Sequence, residues 1–192
     1  MGQRLVVTVI KNNEEIAKLY YHWSAYTVSA LCEAASIIEC LLDKENDISD
    51  LRLRLIRFVE SNGGCIQGGK DSEEFEAISK MYPGQKFKED GSRNYGLIAI
   101  TQAGMTSLQD WSEGDLYIDL DTETINNDVF CAYSLEDYMD YYGETNNINS
   151  IPESDINIET FKFEDIDDII SDLDKLHSYE FRRGEWIYQL IA

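Results

Sequence analysis

Basic residues are missing from most of the second half of this chain. Between Asn94 and Asp174 only Lys162 is positive, against twenty acids, and that stretch carries −19 of the net charge of −21. Such a polyanion is repelled by phosphate, which disfavours the electrostatic mode of binding DNA, RNA or an anionic membrane surface. Apolar runs are short, and none approaches the roughly 20 residues of a membrane span. The opening MGQRLVVTVIKNN does not read as a signal peptide: its apolar run is brief, broken by Thr8, and followed by no small-residue cleavage site. Gly2 has no downstream Ser or Thr for myristoylation. Proline and histidine each occur only twice. The cysteines Cys32, Cys40, Cys65 and Cys131 include no CxxC pair, which predicts reduced, cytosolic thiols. Cys32 and Cys40 flank a helical stripe of Leu31, Ala35, Ile38 and Leu42, so both are expected to be small core residues.

What is present is a core. The 192 residues are 43% hydrophobic and 11% aromatic, with twelve tyrosines, which argues against a disordered acidic tail. The length suits one domain. Runs 4–10 and 15–22 around Lys11-Asn12-Asn13-Glu14 predict a hairpin. Thr27 is expected to cap a helix over 28–42. In 47–62 the alternation of Leu and Arg suits a strand, but an Asp47 or Ser49 cap and an Asn62-Gly63 stop favour a helix. The glycine-rich stretch 63–70 reads as a loop. It is only superficially a phosphate loop, since Asp71 stands where Ser or Thr is required. Asp71 or Ser72 is expected to cap a helix reaching Met81, with a polar connection over 84–94. Further expectations are a strand over 95–101, a helix near 104–111, and strands over 116–120 and 125–133. A helix from Ser134 to Tyr142, a linker over 143–155, a strand near 156–163, a helix over 164–176 and a strand over 186–191 complete the chain. Strands and about five helices without a βαβ rhythm predict an α+β fold, a mixed or antiparallel sheet in a single compact domain, with a possible subdivision near 143–155.

The acids suggest the chemistry. Asp119 and Asp121, two apart on an expected strand, would share a face, with Glu123 following. Asp128 lies on the returning strand, and Asp115 just precedes the first. Glu136, Asp137 and Asp140 alternate with Tyr138 and Tyr141. Carboxylates mixed with tyrosines suit a surface that grips arginine-rich grooves, through guanidinium forks and cation–π contacts. In 164–174 apolar residues at 166, 169, 170 and 173 put the acids on the outer face of a helix. An Asp-x-Asp pattern also occurs in Mg²⁺ or Mn²⁺ sites, but neither a fuller ligand set nor an EF-hand is present; no metal or cofactor is expected. Arg52, Arg54 and Arg57, with Lys70, are the only basic concentration, suited to balancing the acidic half or touching a partner's RNA. His22, with Ser24 and nearby tyrosine hydroxyls, offers acid–base groups where the second strand meets the first helix.

The string Tyr20–Thr27 after an MGQR start, Gly96-Leu97-Ile98 and Asp119–Thr124 resemble small acidic proteins of Firmicutes phages and prophages. Acidity and compact size also resemble anti-CRISPR proteins. That resemblance implies a phage-encoded inhibitor in the host bacterial cytoplasm. Its partner would be a basic protein, a CRISPR effector nuclease or its RNA complex, occluded by an acidic patch without turnover. No membrane association and no direct DNA binding are expected. The alternatives are an enzyme acting on guide RNA, with His22, Tyr26, Asp119 and Asp121 as first candidates, or a phage structural or assembly protein.

Overall fold

Two asparagines in the left-handed region, Asn12 (φ 55°) and Asn13 (φ 58°), join β1 (Leu5–Lys11) to β2 (Glu14–Tyr21). Asparagine tolerates this conformation, and two such residues in succession give the turn whose twist matches an antiparallel pair. The computed structural model describes residues 4–25, 27–68, 71–84, 96–128 and 160–171. The expected helix of Ser134–Tyr142, the linker 143–155, the strand 186–191 and nearly all of the 84–94 connection lie outside the described residues.

Helix α1 spans Thr27–Leu42, so Thr27 opens the helix. Helix α2 (Leu51–Ser61) settles the ambiguous segment as helical. Its cap is Asp50, whose carboxylate accepts from the Leu53 N–H at 3.1 Å, rather than Asp47 or Ser49. The cause is Arg54. Its guanidinium donates to the carbonyls of Leu41, Asp43, Asn46 and Ile48, folding the connection over the helix and delaying its start. This arginine is thus engaged by the backbone of the preceding connection. Arg52 likewise donates to the Ile16 carbonyl at 3.1 Å, and Arg57 pairs with Glu60 at 3.4 Å.

The glycine-rich stretch departs from expectation. Cys65–Ile66 forms a short strand, β3, parallel to β4 (Leu97–Ala99), with the Cys65 N–H donating to the Gly96 carbonyl at 3.0 Å. Helix α3 (Glu73–Met81) is capped by Ser72. Helix α4 (Gln102–Gln109) starts earlier than the spacing suggested, because Thr101 caps it by accepting from the Gly104 N–H at 3.1 Å. Strands β5 (Gly114–Asp119), β6 (Thr124–Asp128) and β7 (Thr160–Lys162) follow, then a 3₁₀ turn over Phe163–Asp165 and helix over 166–171.

All seven strands join one sheet in the order β3-β4-β2-β1-β5-β6-β7. β1 runs parallel to β5, and β3 to β4; the other pairs are antiparallel, so the sheet is mixed and the architecture α+β. Strand alternation sorts the side chains. Leu5, Val7, Val9, Leu19, Leu116, Ile118 and Ile125 face a main core built with α1 and α2, to which Phe161 and Ile166 also belong. On the other face Val6, Tyr20 and Ala99 pack against Met105 and Leu108 of α4. Of the two cysteines expected in the core, Cys32 is exposed and Cys40 half-buried, because Leu31, Ala34 and Ile38 take the inward positions of α1. No helix among the described residues is long and apolar enough to cross a membrane.

Candidate functional site

The candidate acids of the second half sort into two places. Asp115 and Tyr117 lie on the outer face of β5, and the register of β6 sets Asp128 opposite Asp115. There Asp115 accepts from Gln109 and from Ser112, both at 2.8 Å. Gln109 in turn accepts at 2.6 Å from Lys18, a buried lysine that also pairs with Glu15 at 3.4 Å. Burial raises the Tyr117 phenol, with Asp115, Asp128 and Glu15 adding to the effect. A buried ammonium needs such partners. Asp115 thus belongs to the chain that satisfies Lys18 and docks α4 on the sheet.

Asp119, Asp121 and Glu123 stand at the other end of β5. Asp119 and Asp121 are not a shared-face pair, because the strand stops at Asp119. Asp119 instead accepts from the backbone N–H of Asp121 at 2.8 Å and of Thr122 at 3.3 Å, folding the turn. Asp121 accepts from the Asn13 N–H at 2.9 Å and pairs with Lys11 at 3.0 Å, lacing this turn to the β1–β2 turn. Those two partners, the Asn13 N–H first, hold the Asp121 carboxyl below its ordinary range. Glu123, exposed and left-handed at φ 55°, gives its carbonyl to the Phe163 N–H at 3.0 Å.

That last bond joins the turn to the second acidic run. Ile166 is buried and Ile169 and Ile170 are half-buried, while Glu164, Asp165, Asp167 and Asp168 are exposed, the periodicity expected for this segment. One end of the sheet therefore brings the turn of Asp121 and Glu123 beside the segment that carries Glu164, Asp165, Asp167 and Asp168, together termed the acidic ridge. Its described cations are Lys11, engaged by Asp121, and Lys162, which meets Glu164 at 3.4 Å. Asp121 and Glu123 stand out in the sequence, but the chain separation of Glu123 and Phe163 hid the contact between the two acidic segments. The candidates Glu136, Asp137, Tyr138, Asp140 and Tyr141, and Tyr26, lie outside the described residues.

Among the described residues of the alternative constellation, His22 stands apart from Asp119 and Asp121. The Tyr20 hydroxyl and His22 Nδ1 share a hydrogen bond of 2.8 Å, and Ser24 donates to Glu33 at 3.2 Å. His22 follows the end of β2 opposite to the turn held by Asp121, eight residues of strand away, or roughly 25 Å at strand rise. At this junction Tyr20 is buried in the second core, edge-on to Trp111, while Trp23 is 60% exposed and meets the His22 ring edge-on. Among the described residues no group of three or more His, Cys, Asp or Glu is placed to hold a metal. No family model, curated protein or solved structure matches this chain.

Proposed function

We propose that the protein is an anti-CRISPR-like, phage-encoded inhibitor whose acidic ridge occupies the nucleic-acid surface of a basic effector nuclease. The supporting observation is the Phe163–Glu123 hydrogen bond, which draws two acidic segments into one ridge with only two described lysines beside it. Rows of exposed carboxylates match the charge of a nucleic-acid backbone, and clustered like charge outside the core has no folding benefit. Binding of this type is steered electrostatically and weakens with salt.

The testing variant avoids Asp119 and Asp121, which build the turn. Reversing Glu123, Glu164, Asp165 and Asp168 to lysine breaks one contact among the described residues, the exposed Lys162–Glu164 pair, and keeps the Glu123 carbonyl's bond to Phe163. Inhibition of guide-loaded host nuclease should fall by at least about tenfold, with the wild type acting near one copy per target and guide RNA left intact. Full inhibition by the folded reversal variant rejects the ridge. Substoichiometric inhibition with shortened guide RNA rejects mimicry in favour of an enzyme.

A further inference from the structure

Tyr21 ends β2 with a hydroxyl that has no hydrogen-bond partner, although the residue is only 6% exposed. It lines a cleft of about 880 Å³ between α1 and α2. Its phenol lies within electrostatic range of two other lining groups, Glu33 and Cys40. Glu39 and Asp43 bring further carboxylates along the α1 wall, and Phe58 and Val59 of α2 supply an apolar wall. No Lys or Arg lines the cleft among the described residues. Arg54, the basic group nearest Cys40, is engaged by four backbone carbonyls.

We propose that this cleft binds a small organic cation, a guanidinium or alkylammonium head on an apolar stem. The head would donate to the Tyr21 oxygen and pair with Glu33, while the stem lies along Phe58 and Val59. An unpaired buried hydroxyl is unfavourable in the empty protein, and a ligand N–H removes that cost. Glu33 holds only the Ser24 hydroxyl, at 3.2 Å, and its burial pushes the carboxyl up; a cation beside it reverses that penalty. An anion would face three carboxylates, and a neutral ligand would leave Glu33 uncompensated. The site lies on the first half of the chain and is independent of the acidic ridge.

The same head can arrive on a free small molecule or on the arginine or lysine of another protein. Amide chemical shifts of the full chain, titrated with n-butylguanidinium, n-butylammonium, n-pentanol and N-acetylarginine amide, separate these cases. The butyl cations should give saturable shifts at Tyr21, Glu33 and Cys40, and n-pentanol none. Glu33→Gln should weaken the cations about tenfold and Tyr21→Phe about threefold, the sizes expected of a charged and a neutral hydrogen bond. N-acetylarginine amide binding more tightly than n-butylguanidinium assigns the site to a protein side chain, and the reverse order to a free cation. Tyr21→Phe removes one unpartnered atom, so its spectrum should keep native dispersion. Absence of saturation, an equal response to n-pentanol, or unchanged affinity in both folded variants overturns the proposal.

Discussion

A buried hydroxyl without a partner should make the protein less stable than its phenylalanine variant. Tyr21→Phe deletes only that oxygen, and the ring keeps its place in the core. It is expected to raise the free energy of unfolding by about 1 kcal/mol, read as a higher urea midpoint at unchanged slope. A lower midpoint would show that the hydroxyl is satisfied in solution. At this scale the sequence was least informative. Nothing near Asp121 announces that its carboxylate serves Asn13, 108 residues earlier, or that Arg54 serves four carbonyls of the preceding loop. Asp121 was read as a partner-binding charge and Arg54 as balancing the acidic half or touching a partner's RNA, and both also hydrogen-bond the chain's own connections.

Between elements, a buried carboxylate joins α3 to α4. Glu74 is 2% exposed, and its carboxylate accepts from the Ile100 and Thr101 N–H groups and from the Thr101 hydroxyl, the same residue that caps α4. Gly104, in the first turn of α4, lies against that carboxylate, and a Cβ there would overlap it. Gly104→Ala should therefore destabilise by about 2–3 kcal/mol, although alanine is the better helix former by about 1 kcal/mol. A thermal midpoint at or above wild type would show that Glu74 can withdraw without cost. The elements themselves were largely legible. Apolar spacing and caps located α1, α2 and α3, and two asparagines located the first turn. The failures were β3, the start of α2 and the start of α4. β3 has two residues and exists because β4 offers it carbonyls across some thirty positions of chain. A pairing partner distant in sequence leaves no local pattern.

Across the molecule, charge sets how stability responds to solution conditions. At neutral pH a net charge of −21 repels itself. Burial raises the carboxyls of Glu33 and Glu60 above their ordinary value of 4.5, and one Glu60 oxygen is buried without a partner. Each binds more proton in the folded than in the unfolded chain, so each lowers stability as pH climbs from 4.5 through its folded value. Asp121 and Glu113, held below their ordinary values by Asn13 with Lys11 and by Arg4, act in the opposite sense: they stabilise above 3.8 and 4.5, and that contribution disappears as pH falls through their folded values. The two trends place the stability maximum in weak acid. The urea midpoint should be higher in weak acid, just above pH 4.5, than at neutral pH, and should fall again as pH drops below 3.8. Glu33→Gln with Glu60→Gln should flatten the upper limb and leave the lower one. Raising salt from about 20 mM to about 500 mM at neutral pH should stabilise the protein, because screening relieves repulsion more than it weakens five described ion pairs. A midpoint that drops with salt would mean that attraction between charges, not repulsion, governs this fold, and the acidic ridge would then be part of the protein's own electrostatic balance rather than a surface held ready for a cationic partner.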